Sequence, residues 1–248
     1  MRLALRVAAI LVGLIFCIPL HYLWKLFGAR SIWPQLFLAY AGRCAGIVVR
    51  IEGTPLKERV LFAANHVSWL DILALGGATP AAFVSRDDVG TWPLIGWIAG
   101  LNDTIYVARQ ARREVHGQAD QLRRALAAGR AVALFPEGTT AGGDSLLPFR
   151  ASLFASLFPP LDDVSVQPVA IDYGPLATKL AWVGDEGAGE NAGEVLSRPG
   201  TIPVTLRFLA PIDPHAAGDR KSLAARAQAE IAESLGFGAG AQPLYAPR

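Results

Sequence analysis

The chain of 248 residues has little charge and almost no cysteine. Only 18% of its residues are charged and 52% are hydrophobic, whereas typical soluble domains carry about 25% charged residues. A chain this apolar can bury a core, so intrinsic disorder is excluded. Cys17 and Cys44 cannot form a disulfide framework, and their spacing matches no metal site. The length suits one domain, with room for a short additional segment.

Acidic residues are missing from the first 51 positions, which hold six basic residues. The remaining 197 residues carry 17 basic and 21 acidic side chains, so the net charge of +2 hides two unlike regions. Basic residues that interrupt hydrophobic runs are typical of a membrane segment, whereas a nucleic-acid binder concentrates lysine and arginine in a polar patch. The pattern therefore favours a membrane partner and gives no support to nucleic acid.

Two apolar runs, residues 7–20 and 32–41, are separated by a turn around Gly28. Bulky residues follow the first run where a cleaved signal peptide would carry small ones, which disfavours a signal peptide. Two alternatives stay open: a single spanning helix, for which the run is borderline in length, and a helical hairpin that enters one leaflet. We predict a membrane-associating helical segment over residues 1–44 and a second domain over residues 45–248.

Short apolar segments alternate with amphipathic ones from residue 56 onward. Strands are predicted at 59–64, 82–85, 104–108, 131–135, 164–171 and 201–209, and helices at 70–75, 112–128, 148–158 and 219–235. This alternation predicts an α/β domain with a layered mixed, largely parallel sheet flanked by helices. In such sheets, functional residues gather in the loops beyond the strand ends. The glycine-rich residues 174–200 do not fit the alternation and are expected to form a mobile surface excursion.

A polar loop at residues 65–71 follows the first of these strands and leads into a helix. His66 and Asp71 are five positions apart, which would place their side chains about 140° apart on one regular helix. If His66 lies before the first helical turn, Asp71 can reach its Nδ1–H and leave Nε2 free to act as a base. The alternative is a core histidine whose hydrogen bonds are satisfied by a helix-capping network.

Other kinds of chemistry lack their motifs in this chain. No Gly-x-Ser-x-Gly motif is present to place a serine nucleophile beside the histidine. His-Glu-x-x-His, a Cys/His cluster and the phosphate-binding Gly-x4-Gly-Lys are also missing. We therefore predict no metal site and no nucleotide cofactor.

A second polar turn, residues 135–140, follows the strand predicted at 131–135. Pro136 fixes the exit from the strand, and Gly138 permits an unusual backbone angle or the close approach of a ligand. Glu137 in such a turn is either a helix cap or a ligand for hydroxyl or ammonium groups.

Together the two loops resemble the glycerolipid acyltransferases typified by 1-acylglycerol-3-phosphate acyltransferase. That family carries an Asn-His-x4-Asp block, a later Phe-Pro-Glu-Gly-Thr block and an apolar strand that contains a proline. The corresponding residues here are 65–71, 135–139 and 166–171, and further similarity lies at 83–86, 92–96 and 104–109. The resemblance spans residues 45–215, which is most of the second domain.

The resemblance implies an O-acyltransferase that moves a fatty acyl group from acyl-CoA or acyl carrier protein to the free hydroxyl of a lyso-lipid, with 1-acyl-sn-glycerol-3-phosphate as the first choice. It implies that His66 is the general base and that Asp71 orients it and stabilises the imidazolium. The acceptor-binding residues carried over in this way are Arg86, Arg109, Glu137, Gly138 and Thr139. The thioester is a co-substrate, so no cofactor is expected, and the protein is expected at the cytoplasmic face of the inner membrane.

Two departures from the family pattern bear on the acceptor. Thr140 stands where many members have arginine, and Arg86 stands where many have lysine. The loss of a cation leaves a lyso-ornithine lipid open as the alternative acceptor, and residues 146–150 and 181–185 are closer to that bacterial subgroup. Two further classes stay open: a lipid hydrolase that uses His66 with Ser68 or water, and a non-catalytic lipid-binding protein on the same fold.

Overall fold

The computed structural model of the protein describes residues 1–28, 30–107, 114–184 and 186–238. In chain order its α-helices are α1 (Arg2–Leu26), α2 (Trp33–Ala45), α3 (Leu70–Ala78), α4 (Asp87–Gly90), α5 (Pro93–Leu101), α6 (Glu114–Ala127), α7 (Ala177–Leu180), α8 (Ala188–Ser197), α9 (Pro214–Ala217) and α10 (Arg220–Leu235). Its β-strands are β1 (Ile47–Glu52), β2 (Val60–Ala64), β3 (Ala82–Arg86), β4 (Ile105–Val107), β5 (Ala131–Leu134), β6 (Ser165–Asp172) and β7 (Ile202–Phe208). Short 3₁₀ helices cover Ala151–Leu157 and Gly174–Leu176.

The strands form one sheet in the order β1-β7-β6-β2-β5-β3-β4. Strands β6, β2, β5, β3 and β4 run parallel to one another. Strand β7 is antiparallel to β6, and β1 is parallel to β7. The predicted mixed, largely parallel sheet flanked by helices is thus confirmed. Strand β1 was missed because it follows α2 after the single residue Gly46 and shares the apolar character of the helix.

Side chains of β2 alternate between two cores, one on each face of the sheet. Val60, Phe62 and Ala64 pack with residues of α3 and α8, and Leu61 and Ala63 pack with residues of α6 and α10. A strand whose successive side chains are all buried lies inside a sheet that is covered on both faces. This position explains why β2 is a continuous apolar run.

Two predicted helices differ from the structure. Helix α3 continues through Gly76 and Gly77, where we expected it to end. A Cβ atom at Gly76 would lie 2.6 Å from the Leu38 side chain, and one at Gly77 would lie 2.7 Å from the backbone of α2. These glycines therefore serve the close packing of α2 on α3 instead of stopping the helix. The helix predicted at residues 148–158 is a 3₁₀ helix over Ala151–Leu157.

Residues 174–200 are packed onto the sheet, so the prediction of a mobile surface excursion was wrong. The segment contains α7 and α8. Leu180, Val195 and Leu196 are buried in the same core as Phe62. Gly184 and Gly187 lie between α7 and α8, but Gly189 and Gly193 lie inside α8, so the glycines gave a misleading signal for turns.

Helices α1 and α2 form the hairpin proposed from the two apolar runs. Helix α1 is long and apolar enough to cross a membrane, judged by length and composition. One of its faces exposes large apolar side chains, including Ile15 and Phe16. On the opposite side, Arg6 donates hydrogen bonds to the carbonyl oxygens of Leu196 (3.3 Å) and Gly200 (3.2 Å). These contacts hold the start of α1 against the body of the protein.

Candidate active site

The two predicted polar loops lie side by side at one edge of the sheet. Strand β2 pairs in parallel with both β5 and β6, so the carboxyl ends of all three strands meet there. His66 follows β2, Glu137 follows β5, and Tyr173 follows β6. The sheet therefore brings together three polar segments that are distant in the sequence.

His66 and Asp71 form the predicted pair. Helix α3 begins at Leu70, so His66 precedes the first helical turn and its side chain can point back toward Asp71. His66 Nδ1 lies 2.8 Å from Asp71 Oδ2. The same oxygen accepts hydrogen bonds from the backbone N–H groups of Val67 (2.7 Å) and Ser68 (2.9 Å). The loop is thus wrapped around the carboxylate, which fixes the orientation of the ring.

Tyr173 is a further member of this network that the sequence did not reveal. Its hydroxyl donates a hydrogen bond of 2.7 Å to Asp71 Oδ1, and both side chains are buried. Burial, reinforced by the negative charge of Asp71, raises the pKa of Tyr173 well above its usual value, so the hydroxyl stays protonated and donates. Both oxygens of the Asp71 carboxylate are therefore satisfied, as a buried charge requires. The only sequence signal was a polar residue directly after a buried strand.

The His66 ring is held flat against Phe135. The ring centroids are 4.0 Å apart, and the planes are inclined by 11°. The carboxylate at Nδ1 makes that nitrogen the protonated one in the neutral ring, which leaves Nε2 with a free lone pair. Nε2 has no hydrogen-bond partner among the described residues, and the side chain is 17% exposed. One ring nitrogen is thus fixed and the other is available as a base.

Asn65 ties the His66 loop to the neighbouring strand. Its side-chain amide donates to the Ile171 carbonyl oxygen (3.0 Å), and its side-chain oxygen accepts from the Ile171 N–H (2.7 Å). Asn65 fixes the end of β2 beside β6, where Tyr173 follows.

Glu137 is buried next to the His66 loop. Within the described part of the chain, its carboxyl group accepts hydrogen bonds from backbone groups only. Oε1 accepts a hydrogen bond from the N–H of His66, and Oε2 accepts one from the N–H of Leu147, each at 2.8 Å. The residue is 1% exposed. Burial raises the pKa of Glu137 to about 8, with the two backbone donors opposing the shift and the charge of Asp71 adding to it. Glu137 therefore ties the His66 loop to the segment at Leu147.

Gly138 and Arg150 meet at the turn that follows Glu137. Gly138 has φ +74°, and a Cβ atom there would lie 3.0 Å from the Arg150 guanidinium carbon. The backbone angle favours glycine here, and the absence of a side chain leaves room for the Arg150 guanidinium. Thr139 is half-buried next to them, and Arg150 is exposed. The turn presents a guanidinium group at the surface of the site.

Trp182 joins the two polar loops. Its backbone N–H donates to the Val67 carbonyl oxygen at 3.0 Å, and its own carbonyl oxygen accepts a hydrogen bond from the Thr140 hydroxyl. A second link runs from the Trp69 indole N–H to Asn191 Oδ1 at 3.1 Å. These links were missed because residues 174–200 had been interpreted as mobile.

Two predicted acceptor-binding residues cannot be placed. Arg86 ends β3, but its side chain lies outside the described part of the structure, as does the whole of Arg109. Their roles stay predictions. Among the described residues, no group of three or more His, Cys, Asp or Glu side chains is arranged to hold a metal ion.

A sheet of this topology with an oriented histidine at its carboxyl edge has the architecture of an acyltransferase, and the comparisons with known proteins agree. The model of the Acyltransferase family matches residues 46–172, and the chain belongs to that family. It is 36% identical to the lyso-ornithine lipid O-acyltransferase of Rhizobium meliloti over 81% of this chain and 74% of that protein. It is 37% identical to the 1-acyl-sn-glycerol-3-phosphate acyltransferase of Neisseria gonorrhoeae over 46% of this chain and 47% of that protein.

A solved structure shows the same fold. The 1-acyl-sn-glycerophosphate acyltransferase of Thermotoga maritima superposes with a TM-score of 0.65 at 19% sequence identity. The match covers 95% of this chain and 97% of that one, so it includes the helical hairpin as well as the sheet.

Proposed function

We propose that this acyltransferase moves a fatty acyl group from acyl-CoA or acyl carrier protein to the free hydroxyl of a lyso-ornithine lipid. The reaction is supported by one observation above all: His66 is bonded at Nδ1 to Asp71, while its Nε2 has no hydrogen-bond partner in the part of the chain that the structure describes. The acceptor is supported by the extent of the similarity. The Rhizobium relative matches over four-fifths of the chain, whereas the Neisseria glycerol-phosphate relative matches over less than half.

In the proposed reaction, His66 Nε2 takes the proton from the acceptor hydroxyl as its oxygen attacks the thioester carbonyl carbon. The tetrahedral intermediate collapses with loss of the thiolate, which takes the proton back from the imidazolium. Asp71 stabilises that imidazolium, and Tyr173 and the loop N–H groups hold Asp71 in place. The acyl group passes directly to the acceptor, so no acyl-enzyme forms.

The geometry argues against the hydrolase that uses Ser68 as its nucleophile. Ser68 is fully buried, and its hydroxyl oxygen accepts a hydrogen bond of 3.5 Å from the Leu70 N–H. A buried hydroxyl that is not bonded to His66 can neither be activated by it nor reach a lipid carbonyl. The remaining hydrolase alternative is direct attack by water.

A panel of acceptors tests this proposal. Full-length protein in detergent is given acyl-CoA or acylated carrier protein with lyso-ornithine lipid, with 1-acyl-sn-glycerol-3-phosphate, or with no acceptor, and thiol release is followed. We expect release that depends on lyso-ornithine lipid. Equal release without an acceptor would identify a hydrolase, and a preference for the glycerol-phosphate lipid would establish the second candidate, which the Neisseria relative favours.

We further propose that α1 lies in one leaflet and does not span the bilayer. Its 25 residues extend over about 37 Å, and they contact the body both near the start, through Arg6, and farther along, where Leu14 packs with Ile98. A helix held to the body at separate points along its length presents only its outer face to lipid. Acyl-CoA and acyl carrier protein are cytosolic, which supports the cytoplasmic face.

Labelling of single cysteines tests this arrangement. In a variant without Cys17 and Cys44, we introduce Leu3→Cys or Phe27→Cys and treat sealed inverted inner-membrane vesicles with an impermeant maleimide. Both positions should react from the exposed cytoplasmic side, because both ends of a leaflet-bound helix stay there. Reaction of one position only after the vesicles are opened would show that α1 spans.

A further inference from the structure

A polar groove between α7 and α8 has no role in the chemistry described above. It encloses about 320 Å³ and is lined by Lys179, Asn191, Glu194, Val195, Ser197 and Arg198. Ligand pockets start at about 300 Å³. The groove is therefore large enough for a phosphate-containing lipid headgroup.

Two cations face this groove from different sides. Lys179 belongs to α7, and Arg198 follows the last residue of α8. The ion pairs within the described ranges involve other residues, so neither cation is paired with a carboxylate of those ranges. Glu194 is the one carboxylate among the lining residues. Ammonium and guanidinium groups are the side chains that bind a phosphate.

The groove lies beside the helix that associates with the membrane. Arg6 of α1 donates hydrogen bonds to the carbonyl oxygens of Val195 (3.5 Å) and Leu196 (3.3 Å) at the end of α8, and Val195 also lines the groove. When the exposed apolar face of α1 enters a leaflet, the contact of α1 with α8 keeps the groove close to the membrane surface. Basic side chains close to that surface bind anionic lipids.

Asn191 connects the groove to the catalytic loop. Its side chain is buried at one wall of the groove, accepts from the Trp69 indole N–H (3.1 Å) and donates to Glu186 Oε2 (3.0 Å). Trp69 lies three residues beyond His66. A headgroup in the groove would thus be separated from the His66 loop by a single side chain.

We propose that the α7–α8 groove binds the phosphate group of an anionic membrane phospholipid through Lys179 and Arg198, next to the leaflet that holds α1. The inference rests on the membrane location proposed above and is independent of the acceptor. The second candidate acceptor, 1-acyl-sn-glycerol-3-phosphate, also carries a phosphate, and a lyso-ornithine lipid carries a carboxylate, so the test must separate a bilayer phospholipid from the lyso-lipid substrate.

Vesicle binding of the full-length protein tests the groove. Affinity is measured for vesicles of phosphatidylcholine alone and of phosphatidylcholine with one-third phosphatidylglycerol, at low salt. The double variant Lys179→Gln/Arg198→Gln should lose about fivefold in affinity per cation for the anionic vesicles only. The matched control, Arg220→Gln/Lys221→Gln, removes the same charge from exposed positions on α10 and should change affinity by less than twofold.

The single variant Glu194→Gln sharpens the test because its effect has the opposite sign. Removal of the carboxylate that repels a bound phosphate should raise affinity for the anionic vesicles severalfold, while Glu233→Gln on α10 should leave it unchanged.

Equal losses of affinity in the groove double variant and the control double variant would overturn the proposal. The proposal would also be overturned if the groove double variant bound anionic vesicles as the wild type does but had a raised KM for the lyso-lipid in neutral micelles. The groove would then bind the acceptor. An equal loss of binding to neutral vesicles by the groove double variant would also overturn the proposal, because the loss would then not depend on anionic lipid.

Discussion

Asp71 and Glu137 are both buried carboxylates at the same edge of the sheet, and their surroundings differ. Asp71 accepts hydrogen bonds from the His66 ring, the Tyr173 hydroxyl and two backbone N–H groups. Glu137 accepts two, both from backbone N–H groups. Both touch His66, but Asp71 bonds to its ring and Glu137 to its backbone. The comparison separates a carboxylate that acts with the imidazole from one that fixes the loop carrying it.

The substitution Asp71→Asn should have the largest effect on the rate of acyl transfer, and this effect distinguishes Asp71 from Glu137. The oxygen of the asparagine keeps its place beside Nδ1, because the N–H groups of Val67 and Ser68 also donate to that position. The variant therefore loses the negative charge that stabilises the imidazolium, and we expect kcat to fall by about 10²-fold, the lower end of what a general base contributes, with unchanged circular dichroism. The measurement is the steady-state rate of acyl transfer. A loss of less than tenfold in a folded variant would contradict the assignment of Asp71.

A smaller effect is expected from Tyr173→Phe, which removes one donor and leaves the ring contact of Asp71 intact. Asp71 Oδ1 would then be buried without a partner, which costs about 1–3 kcal/mol. The midpoint of thermal unfolding should fall clearly, while kcat should fall far less than in Asp71→Asn. Unfolding at the temperature of the wild type would show that the hydrogen bond contributes little.

Glu137→Gln should change mainly the pH dependence of stability. The pKa of Glu137 is raised to about 8 from an ordinary value of 4.5, so between these values the folded state holds a proton that the unfolded state has lost. Stability therefore falls as pH rises through this window, by up to about 1.4 kcal/mol per pH unit. The variant cannot ionise and should lack this contribution.

Denaturant midpoints at pH 5, 6, 7 and 8 measure the effect. The exposed Glu233→Gln serves as the control and should retain the pH dependence of the wild type. Identical pH profiles for the wild type and Glu137→Gln would show that burial does not raise the pKa of this group.

The sequence was sufficient to predict that the loop at residues 65–71 and the turn at residues 135–140 lie close to each other. Two parallel strands that end in polar residues place those residues at one edge of the sheet, and a helix that starts after His66 lets Asp71 reach its ring. The contact of Tyr173 with Asp71 could not be predicted in this way, because it depends on β6 lying directly beside β2. Periodicity indicates that strands exist but does not give their order.

Residues 174–200 show a second limit. Their glycines indicate turns, but Gly189 and Gly193 lie inside α8. The burial of Leu180 and Val195 is a property of the assembled core. The hydrogen bonds that Trp182 and Asn191 make to the His66 loop follow from that packing. No local sequence pattern therefore predicts them.

The central claim is that His66 Nε2 takes the proton from the acceptor hydroxyl. The most direct test is the rate of acyl transfer to lyso-ornithine lipid by His66→Ala, compared with His215→Ala, whose histidine is half-exposed on α9. We expect His66→Ala to lose about 10²- to 10⁴-fold in kcat, which is what a general base contributes, with little change in KM, and His215→Ala to retain the wild-type rate. Transfer by His66→Ala within tenfold of the wild type would contradict the claim.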